Sequence, residues 1–404
     1  MTSDPADQQL KRLTRGAEHV VPAEDLRDRL EEGRPLRVKL GVDPTARDIT
    51  LGWAVPLRKL RAFQDEGHTA VLIVGDFTAR IGDPSGKSET RPQLTVDRVR
   101  ANAEACVDQL MDVLSEDNLE VRYNSEWLEP MDLADLLRLT SSYTVAQMLE
   151  RDDFSKRYQD GRPIALSEFM YPLMQGYDSV AVEADVELGG TDQLFNLLVG
   201  RDLQRAYGQR PQVALTMPLL VGTDGVQKMS QSLGNYIGIR EEPEEIFGKA
   251  MSIPDSLVEQ WALLGAGMTD AEVAEVRALV AAGGPQAGEA KRRVARSVIE
   301  LYHDVETAAA AEAAFDRVFK QHDAPQDMPE VRIPDVALDD GRVNLPTLLS
   351  ELDLAASRSA ARRLIEQGGV RIEGVPVEGD SVPLEALAGK VLQAGKRRFV
   401  RILR

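Results

Sequence analysis

Five stretches of the chain place polar side chains at spacings that could do chemistry. The first, Gly41 to Trp53, offers Asp43, Thr45 and Thr50 as polar heads, with Gly52 leaving room for a ligand to approach the backbone. It falls between a strand end and a helix start, where the unpaired N–H groups of a helix N-terminus suit a phosphate. The second, Gly75 to Arg91, mixes glycines with Thr78, Asp83, Lys87 and Arg91. A carboxylate beside two cations can hold an amine and a triphosphate together. Gly82 and Gly86 do not precede Lys87 at the spacing of a Walker loop, so this is a different phosphate grip. In the third, Tyr171, Gln175 and Asp178 stand four and three residues apart, which puts a phenol, an amide and a carboxylate on one face of a helix. The fourth, Gly189-Gly190-Thr191-Asp192-Gln193, joins two glycines to groups able to bond ribose hydroxyls, and the fifth is Lys228-Met229-Ser230-Gln231-Ser232. Taken singly, each stretch also reads as a turn, a cap or a solvated face. Their order and spacing along one chain carry the signal.

The elements that must position these groups alternate up to about residue 240. Residues 36–42, 69–77, 119–123 and 213–220 read as strands, and residues 51–66, 96–114, 132–150 and 194–207 as helices. Residues 69–77 are nearly all β-branched or apolar, the pattern of a strand buried on both faces of a parallel sheet. Strand and helix alternating in this way predict an α/β fold, a Rossmann-like doubly wound parallel sheet with ligands at the carboxyl ends of its strands. Residues 243–321 are helical in pattern, with a break at Gly283-Gly284-Pro285, and residues 322–342 are rich in Pro and Asp and read as a linker.

Composition limits the function classes. The 404 residues carry 48 basic and 66 acidic side chains, a net charge of −18, at 43% hydrophobic content. A single Cys106 excludes a disulfide framework and any multi-cysteine zinc site, so no protein metal site is expected. Apolar runs are too short to span a membrane and residues 1–5 lack a signal pattern, so a cytoplasmic location is expected. The net charge alone argues against a nucleic-acid partner. Its distribution argues otherwise: residues 356–404 hold ten basic and five acidic groups, a surplus of +5 that leaves −23 on the rest. Arg358, Arg362 and Arg363 sit at helical spacing in this tail, ahead of Gly368-Gly369 and a strand-like Val370 to Ile372. A basic module on an acidic body suggests a polyanion-binding appendage, and a solvated face remains the other reading.

Together the five stretches resemble the bacterial tyrosyl-tRNA synthetases, class I enzymes, over essentially the whole length. The resemblance implies a catalytic domain with a dimerisation insertion at 1–240, an α-helical domain at 241–321, a linker at 322–342 and a small α+β S4-like RNA-binding domain at 343–404. It implies ATP-dependent activation of tyrosine and its transfer to tRNA, with ATP and Mg²⁺ as substrate rather than bound cofactor, and a homodimer. By the same resemblance Asp83, Tyr171 and Gln175 hold the α-ammonium of tyrosine or a phenolic analogue, with Thr78 close by, and Asp178 takes the phenolic hydroxyl. Lys39 and Gln193 join the amino-acid side. Asp43, Gly52, Trp53, Gly190, Asp192, Lys228, Met229, Ser230 and Gln231 match the ATP side, Thr45 a γ-phosphate contact, and Lys87 and Arg91 the cations of a loop over pyrophosphate. Arg358, Arg362 and Arg363 match the RNA-binding module.

The departures from that family are specific. Thr50 and Trp53 stand where the first signature ordinarily has two histidines, and Gln231 where the second has its second lysine. His19, His68, His303 and His322 all lie outside the matched motifs. Removing one preorganised donor from such a site costs on the order of 10² to 10³ in rate. Thr50 can still offer a bond to phosphate, and Trp53 either stacks on adenine or occludes it. The residues therefore leave open a synthetase with an altered ATP site, a repurposed biosynthetic paralogue and a non-catalytic binding protein. A buried Asp178 also requires partners, because an unpaired carboxylate in the interior is expensive.

Overall fold

The structure, a computed structural model, describes residues 4–44, 48–83, 96–319, 328–339, 341–395 and 398–403. They divide into two compact units, Met1–Val305 and Glu306–Arg404. The first is built on a six-stranded sheet of β1 (His19–Val21), β2 (Arg37–Val42), β3 (Thr69–Val74), β4 (Leu119–Tyr123), β5 (Val186–Gly190) and β6 (Val213–Met217), in the order β1-β6-β5-β2-β3-β4. All neighbours are parallel except β1, which runs antiparallel to β6. β3 is buried from Ala70 to Val74, as its continuous apolar run requires of a strand covered on both faces. The chain leaves β2 through the helix Leu51–Asp65 to β3, reaches β4 through the helix Val96–Leu110, and then returns to the other side of β2 to form β5 and β6. Strand order therefore reverses between β2 and β5. The crevice at their carboxyl ends is where such sheets bind ligands.

Two helices floor that crevice. Leu166–Ala181 packs along Leu194–Ala206, and the contact has no room for side chains at its centre. A Cβ on Gly176 would lie 3.1 Å from the Gly200 nitrogen and 3.2 Å from its Cα. Beneath them Lys39 of β2 and Glu187 of β5 are register partners, both fully buried, with Lys39 Nζ 2.9 Å from Glu187 Oε1. Lys39 also donates to the Gln175 carbonyl and to Ser179 Oγ, each at 2.8 Å. Ser179 Oγ donates in turn to Glu187 Oε2 at 2.9 Å, and Gln212 Nε2 donates to the same oxygen. One ion pair thus clamps two strands to the helix that carries Tyr171, Gln175 and Asp178.

Several expected elements differ in extent. Residues 132–150 form two helices, Leu133–Ser141 and Val145–Met148, because Thr144 and Gln147 cap each other reciprocally and start a new helix. The third strand ends at Val74, where Gly75 opens a turn, and the last at Met217, before Pro218. β1 and β5 are additional to the expected strands. Residues 243–300 are helical as expected, in segments that include Pro243–Met251, Asp270–Ala282 and Pro285–Glu300.

In the second unit, strands Glu330–Val331, Val370–Ile372, Val375–Pro376, Val391–Ala394 and Arg398–Ile402 form one sheet. Its core includes Val343, Leu348, Ile365, Leu392 and Ile402. The helix Arg358–Glu366 is capped by Ser357, whose Oγ accepts from the Ala360 N–H, and it exposes Arg358, Arg362 and Arg363. Arg362 pairs with Asp380 at 2.8 Å.

Replacing Lys39 with Met strands the Glu187 charge in the interior, which costs about 3–5 kcal/mol of stability. Chemical denaturation is expected to show that loss, and the double variant Lys39→Met/Glu187→Gln to recover part of it.

Candidate active site

The loop after β2 and the turn after β3 meet at Asp43. Its carboxylate accepts from Thr78 Oγ1 and from the Tyr171 hydroxyl, each at 2.8 Å. Gly75 is obligatory here, since a Cβ would lie 2.0 Å from Asp43 Oδ1 and 2.5 Å from Thr78 Oγ1. Burial and the neighbouring Asp43 raise the Tyr171 phenol well above its ordinary range, so it remains a donor. Asp43, expected on the ATP side, therefore braces the wall formed by Thr78 and Tyr171.

Asp178 lies at the base, 3% exposed, and both its oxygens are held. Trp127 Nε1 donates to Oδ1 at 2.8 Å and Asn124 Nδ2 to Oδ2 at 3.3 Å. Asn124 also donates to Thr78 Oγ1 at 3.0 Å and accepts from the Phe77 N–H at 3.0 Å, which fixes its orientation. Burial pushes the Asp178 carboxyl up to about 7; Lys39, Trp127 and Asn124 oppose the rise and Glu187 adds to it. Sequence reasoning missed Asn124 and Trp127. The signal that could have found them was the need of a buried carboxylate for donors, together with their place just after a strand of the same sheet.

The opposite end of the pocket is a network of amides. Gln193 Nε2 donates to Asp83 Oδ2 at 2.8 Å, while Asn196 Nδ2 donates to Oε1 of both Gln175 and Gln193 at 3.0 Å. The second, third and fourth stretches thus converge, with Asn196 as a hub that the sequence did not reveal. Lys39, expected among the amino-acid contacts, lies beneath this pocket with its ammonium engaged by Gln175, Ser179 and Glu187.

On the nucleotide side, Thr50 is 1% exposed and its hydroxyl oxygen accepts from the Trp53 N–H at 3.2 Å, capping the helix Leu51–Asp65. It also bridges to Gly238, so Thr50 is a cap inside the fold rather than an open phosphate donor. Trp53, in the first turn, remains 38% exposed. The Lys-Met-Ser stretch folds over this helix start. The Gly52 N–H points at Met229 Sδ at 3.2 Å, and a Cβ on Gly52 would press within 3.3 Å of Met229 Cβ. Gln231 Nε2 donates to the Asp48 carbonyl at 2.7 Å, the Ser230 N–H to Asn235 Oδ1 at 2.8 Å, and Lys228 pairs with Asp192 at 2.6 Å. At Gly190 a Cβ would meet Leu219 Cδ2 at 2.7 Å and Asp192 Oδ1 at 2.8 Å, so a side chain there would displace the Asp192 carboxylate. Thr45, Lys87 and Arg91 lie outside the described residues.

A pocket at the switch point of a parallel sheet, a Lys-Met-Ser loop laid on the first crossover helix and an S4 domain define the class I synthetase architecture. The chain belongs to the family of class I tRNA synthetases for tryptophan and tyrosine: residues 31–320 match the model described as "tRNA synthetases class I (W and Y)". Residues 343–384 match the S4 domain. The tyrosine--tRNA ligase of Moorella thermoacetica is 53% identical over 398 residues, covering 98% of this chain and 95% of that protein. Its counterpart in Symbiobacterium thermophilum is 50% identical over 402 residues, covering 98% of each. Among solved structures, the tyrosyl-tRNA synthetase of Archaeoglobus fulgidus complexed with L-tyrosine matches with a TM-score of 0.62 at 25% identity, over 76% of this chain and 99% of that one.

With its carboxyl pushed up to about 7, Asp178 changes charge between pH 6 and 8, so the strength with which it holds a donated hydroxyl changes over that range. Ionised Asp178 accepts a charge-assisted hydrogen bond, and the protonated form makes the weaker neutral one. The affinity for a phenolic amino acid is expected to rise about fivefold between pH 6 and 8, equivalent to about 1 kcal/mol. Titration calorimetry should find that step, and find it gone in Asp178→Asn.

Proposed function

We propose that the chain activates tyrosine with ATP to form tyrosyl-adenylate and pyrophosphate, and then transfers the tyrosyl group to tRNA. The observation that carries this reading is Asp178, a carboxylate buried at the base of the pocket with each oxygen already fixed by an N–H donor. Such a group orients one phenolic hydroxyl and leaves a site without it unsatisfied, the strongest basis for rejecting phenylalanine. Nearly full-length identity to proteins named tyrosine--tRNA ligase supports it.

In this reading Asp83, Tyr171 and Gln175, with Thr78 nearby, receive the α-ammonium, and Gln193 lies toward the carboxylate. Asp192, Gly190 and Gly52 border the ribose and the base. Lys228, with Lys87, Arg91 and Thr45, neutralises phosphate charge. No side chain acts as nucleophile. A carboxylate oxygen of tyrosine attacks the α-phosphorus, the bond to the bridging oxygen breaks, and pyrophosphate leaves with that electron pair. ATP enters as its Mg²⁺ complex, so the metal comes with the substrate and would help neutralise its phosphate charge. The exposed Arg358, Arg362 and Arg363 of the S4 domain contact the tRNA backbone. We place the activity in the cytoplasm, where tRNA is charged; among the described residues no helix is long and apolar enough to cross a membrane.

The test is tyrosine-dependent exchange between ATP and pyrophosphate. Exchange is expected in the unaltered chain, and its absence at high enzyme concentration overturns the proposal. The combined replacement Thr50→His, Trp53→His and Gln231→Lys adds donors to the phosphate side and is expected to raise the rate by about 10² or more.

The assembly proposed is a homodimer through residues 133–166. Leu133, Leu137, Val145 and Leu166 are 61–82% exposed there, and Leu133 and Leu137 share one helix face. Sedimentation should give twice the chain mass for the unaltered protein and a single chain for Leu137→Asp.

A further inference from the structure

The ammonium end of the pocket holds a buried guanidinium, that of Arg151, to which the reaction described above assigns no role. Arg151 is 6% exposed and immediately precedes the helix Asp152–Gln159. One edge is anchored: Nε lies 2.8 Å from Asp153 Oδ1, and Nη2 donates to Asp153 Oδ2 at 3.1 Å. The guanidinium carbon stands 4.8 Å from the centre of the Phe154 ring, which meets Phe169 edge-on at the same centroid distance. The other edge faces the site. Nη1 donates to Asn196 Oδ1 at 3.3 Å, and Nη2 lies 3.7 Å from Asp83 Oδ1, near enough for charge attraction but beyond hydrogen-bond length.

An amide can be reversed end for end at little cost in space, so its polarity is set by what it bonds. Arg151 has donors only, which forces the Asn196 oxygen toward it and turns Asn196 Nδ2 toward the Gln175 and Gln193 oxygens. Gln193 must then present its NH₂ to Asp83, as observed. The chain of polarity is held at one end by the Arg151 guanidinium and at the others by the Asp83 and Glu187 carboxylates, since Gln175 Nε2 also donates to Glu187 Oε1 at 3.4 Å, and Asn196 is the amide at which they meet.

We propose that Arg151 is a positioning residue for α-ammonium recognition. It acts through Asn196 on the polarity of Gln175 and Gln193, and through its charge on the direction of Asp83. This rests on the reading that tyrosine binds here, and it assigns the amino-group specificity of the pocket to a residue outside the five recognised stretches.

The test uses three ligands on the full chain by calorimetry: tyrosine, tyramine, which keeps the ammonium and lacks the carboxylate, and 3-(4-hydroxyphenyl)propanoate, which lacks the ammonium. For Arg151→Met, tyrosine and tyramine are expected to weaken about tenfold, the scale of one mispaired buried group, and the propanoate less than threefold. Arg151→Lys keeps the charge without the fork and should recover part of the loss. Asn196→Leu, which removes the amide link without adding charge, should reproduce the pattern if Arg151→Met fails to fold. Equal weakening of all three ligands, or none, overturns the proposal. If the unaltered chain binds no tyrosine, it is the reading of the pocket itself that fails.

Discussion

An ion pair taken out of water is costly unless its own polar atoms find partners, and the pair between Lys39 and Glu187 finds them by recruiting its surroundings. Ser179 bonds both partners, Gln212 reaches the second glutamate oxygen, and the Gln175 carbonyl takes one of the lysine protons. The result is a fixed spacing among β2, β5 and the helix Leu166–Ala181. From those three elements come Asp43, the run Gly189 to Gln193, and the row Tyr171, Gln175 and Asp178. Much of the pocket is hung from that one buried charge pair, which is itself fully enclosed. The pair also acts on the pocket at a distance, since its two charges pull the Asp178 proton in opposite directions.

The two halves of the site are built on different logic. On the amino-acid side each functional group is oriented by a neighbour: Asp178 by Trp127 and Asn124, Tyr171 by Asp43, the glutamines by Asn196. On the nucleotide side the three residues that depart from the family pattern are adjacent in space and, in two cases, occupied with the scaffold. The Thr50 hydroxyl caps its own helix, and Gln231 ties the Lys-Met-Ser stretch to the Asp48 carbonyl, where Met229 already rests on Gly52. Neither has the reach of the residue it replaces. In the proposed reaction the phosphate work then falls more heavily on the cations, and Lys228 is paired to Asp192.

Periodicity revealed the parts of this arrangement that depend on local sequence. The buried run of β3, the helix from Leu51 and the one-face spacing of Tyr171, Gln175 and Asp178 are each written in a short window. So is the arginine row of the tail helix. What escaped detection depends on partners distant along the chain. Asn124 and Trp127 matter because Asp178 lies opposite them, and Asn196 because two glutamines from different elements meet there. Resemblance alone places Lys39 on the amino-acid side, and the partner that engages it lies on β5, a strand that periodicity did not mark. The break after Ser141 was missed for a local reason: a threonine cap inside a helical pattern is weaker in composition than the apolar residues around it.

The crossing of Gly176 over Gly200 sets a boundary on how this pocket can be remodelled. With backbone already against backbone, the helix bearing Tyr171 and Asp178 cannot come closer to Leu194–Ala206, and a larger side chain at the crossing would drive the two helices apart. Space for a bulkier phenol, such as one substituted on the ring, would have to be carved from the opposite wall, where Trp127 is the largest removable volume. That same indole supplies a proton donor to Asp178, so a wider pocket and a well-oriented carboxylate are alternatives in this scaffold, to be exchanged rather than combined.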